Sequence, residues 1–157
     1  MTRQTPVLDP QPSAPRRAHL AVGLVWVAVT LAGSVAIGLV GLAAARGVTR
    51  IGRSSYDTEF IHPATSGALL LLLLPAMMAG RSAGRLVVPV VLAAAVPQWL
   101  VAGEVVGRYQ ESGWGDGLEV FAYLTPLWVG FLCAVAASLG WLLGRNRREI
   151  RPRPQPG

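Results

Sequence analysis

Residues 20–45 read LAVGLVWVAVTLAGSVAIGLVGLAAA, without one charged side chain among them. A helix rises about 1.5 Å per residue and the hydrocarbon core of a bilayer is about 30 Å thick, so roughly 20 apolar residues cross it. This stretch exceeds that length, and it identifies the chain as an integral membrane protein. Three further apolar stretches follow, at 64–80, 86–106 and 120–143. The last two are long enough to span. The stretch at 64–80 contains six consecutive leucines, Leu69 to Leu74, but is short and opens after Pro63, so a re-entrant hairpin is its structural alternative. The expected fold is an all-α membrane protein, a bundle of four transmembrane helices.

The first stretch also invites reading as a cleaved signal, because Arg16-Arg17 precede it and Ala43-Ala44-Ala45 end it. Its length argues otherwise, since the apolar region of a signal peptide runs about 7–15 residues. Twin arginines are also what a first helix starting in the cytoplasm carries. An uncleaved helix is expected.

Composition agrees. Of 157 residues 52% are hydrophobic and 14% charged, against about 25% charged in soluble domains, and the mean hydropathy is +0.47. A globule of this size leaves much of its surface wet and has no means of hiding so much apolar area. All basic residues are Arg, which with the abundant Ala, Gly, Val and Pro suggests a GC-rich, bacterial genome. The net charge of +6 does not point to nucleic acid, because the arginines cluster at the ends of apolar stretches.

Those arginines orient the bundle. With the N-terminus inside, Arg3, Arg16, Arg17, Arg81, Arg85, Arg145, Arg147, Arg148, Arg151 and Arg153 are cytoplasmic, and Arg46, Arg50, Arg53 and Arg108 are outside. Basic residues in short loops favour the cytoplasm, so the expected arrangement is N-in/C-in in a bacterial cytoplasmic (inner) membrane. Residues 1–18, with four prolines, read as a disordered cytoplasmic tail, 19–144 as the transmembrane domain, and 145–157 as a basic cytoplasmic tail.

Small residues mark candidate packing faces. Thr30, Ser34, Gly38, Gly41 and Ala45 recur at spacings of three and four, and Ala122, Gly130, Ala134 and Ser138 form a second stripe. Gly103 with Gly107 and Gly140 with Gly144 make GxxxG pairs. Lipid gives helices no hydrophobic reason to associate, so close backbone approach through small residues supplies the contacts. Pro75, Pro89, Pro97 and Pro126 are expected to interrupt three helices. Gln98, within a span, must find a hydrogen-bond partner or line a cavity.

Charge at mid-membrane usually marks an ion or substrate path, and these spans carry none there. Glu104 comes closest, but it lies about 27 Å along the helix from Leu86, near the outer interface and one turn before its expected partner Arg108. Asp57, Glu59 and His62 form a D-x-E-x-x-H cluster whose residue types suit metal ligation or acid–base work, although a solvated loop explains them equally. Residues 107–119 carry Tyr109, Trp114 and three carboxylates, with Asp116-Gly117 as a turn signal. The lone Cys133 lies in an apolar span and is expected to be inert. No metalloprotease, redox, nucleophile-elbow or phosphate-loop motif occurs. No enzyme activity and no cofactor or metal are expected. The expected role is a non-catalytic subunit, assembly or accessory component, with a membrane-protein partner or a second copy as its neighbour. A small transporter or lipid-handling protein is the alternative, and an outer-leaflet enzyme using Asp57, Glu59, His62 and Glu104 the third.

Overall fold

The computed structural model of the protein describes residues 14–52, 55–113 and 117–149. Helix α1 (Ala14–Ala44) leads into a hairpin of β1 (Gly47–Ile51) and β2 (Ser55–Glu59). A second helical path follows as α2 (Ala64–Ala68), a 3₁₀ turn at Leu69–Leu72, and α3 (Leu73–Ser82). A 3₁₀ turn at Gly84–Leu86 opens α4 (Val87–Glu111), and another at Leu118–Tyr123 opens α5 (Leu124–Glu149). Four of these paths are long and apolar enough to cross a membrane: Arg17–Ala44, Ala64–Ser82, Gly84–Glu111 and Glu119–Asn146.

The helices overrun the sequence-based limits at both ends of the chain. Helix α1 begins at Ala14, inside the expected tail, with Pro15 in a first turn that needs no amide donor there. Helix α5 runs on to Glu149 through the arginines after Gly144, which are good helix formers and suit the negative end of the helix dipole. The rest of both expected tails, residues 1–13 and 150–157, lies outside the described residues, as do Trp114 and Asp116.

The all-α expectation is corrected by the hairpin. Segments GVTRI and SYDTE are rich in β-branched and aromatic residues, which fit a pleated strand better than a helix. They pair antiparallel from Gly47↔Glu59 to Ile51↔Ser55, and Gly52, at φ 75°, takes the left-handed conformation at the turn. What reads in the sequence as a solvated loop is thus an ordered cap on one end of the bundle.

The prolines act differently from one another. Pro75 has no amide hydrogen for the carbonyl of Leu71, four residues earlier, and the chain tightens into the 3₁₀ turn at Leu69–Leu72. Pro97 lies inside α4 and removes a bond there. Pro89 and Pro126 fall in the first turns of α4 and α5, where no intrahelical donor is required, so they do not break those helices as the sequence suggests.

Helix α1 packs on α3 and α4, and α5 packs on α3 and α4 from the other side. Leu69, Leu72, Ala76, Ala79, Val90, Ala94, Val129, Cys133 and Ala137 form the central core. Large apolar side chains such as Leu39, Leu71, Leu100 and Trp128 face outward, Leu71 with 73% of its surface exposed. At one end of the bundle Gly23 lies against Ser82 and Leu86, and at the other Gly41 lies against Ile61 and Thr65. The path from Ala64 to Ser82 therefore traverses the whole bundle, and the re-entrant alternative is not adopted. Arg81 and Arg145 line a small cleft at the first end, and the hairpin closes the second.

Candidate functional site

Two polar features stand out, and Gln98 belongs to both. Its side chain is 2% exposed in the middle of α4, a position where an unpartnered amide is costly. Gln98 Nε2 donates to the Ser34 carbonyl oxygen at 2.8 Å and to Ser34 Oγ at 3.1 Å. Ser34 Oγ in turn donates to the carbonyl of Ala94 at 2.8 Å. That carbonyl sits in the turn preceding Pro97, beside the one that Pro97 leaves without its helical donor. The two helices are thereby locked side by side at one register. Thr30, one turn earlier on the same face, donates to its own helix at the carbonyl of Trp26, 2.9 Å away.

On its other side Gln98 lines a cavity of about 400 Å³ between α4, the hairpin and the 3₁₀ turn before α5. Thr58, Tyr109, Glu119 and Thr125 supply its remaining polar groups, while Ile61, Val101, Val105 and Phe121 are among its apolar walls. Gly117, at φ 86°, sets the direction in which the turn carrying Glu119 departs. Glu119 Oε2 is buried and meets no hydrogen-bond partner among the described residues. The cavity is of the size that takes small ligands, apolar with a few polar groups.

Arg108 holds this end together. Its Nε lies 3.1 Å from Glu104 Oε1, and its Nη1 donates to the carbonyls of Leu42 at 3.1 Å and Phe60 at 3.4 Å. Leu42 lies in the last turn of α1, where carbonyls lack helical partners and a cation is favoured. The Gly41 carbonyl accepts the amide of His62 at 3.0 Å as well as that of Ala45 at 3.2 Å. The rings of Phe60 and Tyr109 meet at a tilt with centroids 4.1 Å apart, and those of Trp99 and Tyr123 at 5.0 Å.

The hairpin carboxylates do not converge. Glu59 accepts a 2.8 Å bond from Arg46, whose guanidinium is held above its ordinary pKa by that bond and by the charges of Glu59 and Asp57. His62 Nε2 lies 3.9 Å from Glu59, and its Nδ1 accepts the amide of Ala64 at 3.3 Å. Asp57 pairs across the hairpin with Thr49. No three His, Cys, Asp or Glu side chains among the described residues are grouped to hold a metal ion.

Among the candidate packing residues, Ser34, Gly38 and Gly41 are buried and Ala45 is half-buried. On α5, Gly130 is buried and Ala134 half-buried, but Ser138 faces outward. The buried positions there are Pro126, Val129, Gly130, Cys133, Ala137 and Gly140. The closest approach involves a residue the sequence reading passed over. A Cβ on Gly80 would overlap the backbone of Ala137, and one on Gly140 would overlap the carbonyl of Met77. Ala76, Gly80 and Gly84 recur at spacing four, a signal available in the sequence. Glu119, Tyr109 and Thr125 carried no such signal, since only the fold brings them to Gln98.

No family model, curated protein or solved structure matches this chain.

Proposed function

We propose that this chain is a non-catalytic component of a bacterial cytoplasmic membrane, a subunit, assembly or accessory factor that works through helix packing. The observation that carries this reading is how the interior is used. The helices meet backbone to backbone at Gly80 and Gly140, and the buried polar side chains Ser34 and Gln98 bond each other and the backbone. Such an interior fixes a rigid body, the form suited to presenting a surface to a neighbouring membrane protein or to a second copy. Both termini lie in the cytoplasm in this reading, which the basic residues at the end of the bundle with Arg81 and Arg145 support. Purification of the full chain in mild detergent tests it. A membrane protein retained in fixed stoichiometry, or a stable homo-oligomer, is expected, and a lone monomer would count against it.

A second reading, lipid or small-molecule handling, is favoured by one specific feature: the cavity beside Gln98 and Glu119 at the hairpin end.

A further inference from the structure

We infer that the hairpin end of the bundle binds an amphiphile with an ammonium head, the head in the cavity beside Glu119 and the chain along the groove between α2–α3 and α5. The inference rests on the second reading above and gives it a ligand class.

The head group follows from charge. Glu119 Oε2 is a buried acceptor with no donor among the described residues. Leaving such a group unmatched is costly, and more so when it is charged. Among the described residues no cationic side chain lines the cavity. Arg108, next in sequence to Tyr109, is engaged with Glu104, Leu42 and Phe60, and Arg46 with Glu59. A ligand ammonium supplies both the missing donors and the missing charge. Tyr109 and Phe121 in the wall are aromatic, and an aromatic ring attracts a cation to its face.

The chain follows from continuity. Thr125 lines this cavity and also a second one of about 350 Å³, bounded by Ser66, Leu69, Leu70, Leu73, Trp128 and Leu132 among others. Leu70, Leu124 and Trp128 are more than two-fifths exposed, so this groove opens on the surface that faces lipid. From Leu124 to Cys133 it follows α5 for about 14 Å, enough for most of a dodecyl chain. A cavity that holds a few polar groups, Glu119 Oε2 among them without a partner among the described residues, thus adjoins an apolar groove open to the bilayer, and one molecule with a head and a tail satisfies both.

The test uses the full chain in phosphatidylcholine nanodiscs and radiolabelled dodecylammonium, with binding to empty nanodiscs subtracted. Saturable binding is expected, with butylammonium and dodecanol competing poorly because each lacks one half of the ligand. Glu119→Gln should weaken binding about tenfold or more, the loss of one charge-assisted contact. Leu70→Trp, which fills the groove from its exposed side, should weaken it comparably. Glu111→Gln changes an exposed carboxylate outside the cavity and should leave binding unaltered. Thermal unfolding confirms that each variant is folded, and Glu119→Asp, which keeps the charge, should restore binding in part. Competition by phosphatidylethanolamine would identify the ligand as a bilayer lipid, and its failure to compete would identify a free amphiphile. Equal binding by wild type and Glu119→Gln, or dodecanol competing as well as dodecylammonium, overturns the inference. Neither result bears on whether a protein partner co-purifies, so the packing reading stands or falls separately.

Discussion

The same substitution, glycine to alanine, has opposite consequences at different places in this bundle. At Gly80 the added methyl would overlap the Ala137 backbone, and at Gly140 the Met77 carbonyl. Backbone has no rotamer with which to yield, so α3 and α5 must separate. Overfilling a packed interface costs about 1–3 kcal/mol. At Gly67 and Gly107, both also helical, nothing lies within 4 Å of the added carbon. Alanine gains about 1 kcal/mol of helix propensity at every one of these positions. That gain is common to the series, so the difference between Gly80→Ala and Gly107→Ala isolates the clash, at about 1–3 kcal/mol. Gly38 and Gly41 should fall between, because the added carbon would meet a Val101 methyl at 2.6 Å and the Thr65 methyl at 2.7 Å, side-chain atoms rather than backbone. Equilibrium unfolding in bicelles by steric trapping measures these differences, with membrane abundance checked for each variant. Gly80 and Gly140 share one interface, so their double variant should be less than additive. If Gly80→Ala and Gly107→Ala unfold alike, the α3–α5 contact is not where this fold is tight, and the argument for a packed scaffold loses its main support.

Reporter fusions active only outside the cytoplasm should be active after residues 55 and 112 and inactive after 83 and 150, and activity at 150 would overturn the N-in/C-in arrangement. Gln98→Leu and Ser34→Ala should each destabilise by about 0.6–1.7 kcal/mol, the range for hydrogen bonds between membrane helices, and the double variant should show coupling in the same unfolding assay. Cys133, with no exposed surface, should resist maleimide in the folded protein and react once denatured in dodecyl sulfate; fast labelling of the native state would place it on an accessible path. Replacing Asp57, Glu59 and His62 together with Ala should leave membrane insertion intact, as protease protection would report. The Arg46–Glu59 pair is largely exposed on the arginine side and contributes little to stability. Loss of a measured function at normal abundance would move that cluster from hairpin to site.

How far the sequence foretold this structure follows from whether each feature is local. An apolar run of sufficient length is a property of consecutive residues, and the four spans are legible for that reason. The small-residue face of α1 is also local, because Thr30, Ser34, Gly38 and Gly41 repeat at helical spacing, a pattern that nearby residues carry by themselves. On α5 the same rule misleads at one position. Ala134, Ala136, Ala137 and Ser138 are nearly consecutive and so fall on several sides of that helix, and size alone does not separate Ser138, which faces outward, from its neighbour Ala137, which meets Gly80. The two GxxxG pairs show the same ambiguity: Gly140 and Gly144 lie on the Met77–Arg81 turn, while Gly107 faces open space and Gly103 comes only within 3.9 Å of the Tyr123 hydroxyl. The motif states that a close approach is permitted, and only the partner helix decides whether it happens.

The hairpin end was least legible, and the reason is physical. Arg108 is expected from its spacing to pair with Glu104, and it does, but two more of its contacts are carbonyls on α1 and at the end of the hairpin, more than forty residues away. Those contacts fix where the hairpin sits over the bundle, and hence that Thr58 and Ile61 close one wall of the cavity while Glu119 closes another. No spacing rule joins residues 58, 98, 119 and 125. What the sequence does contain is a constraint that anticipates such a place: a glutamine inside an apolar helix must be satisfied, and the group that satisfies it has to arrive from another element. Ser34 meets half of that demand. Gln98 also lines the cavity beside Glu119, and so joins the rigid interior to that compartment.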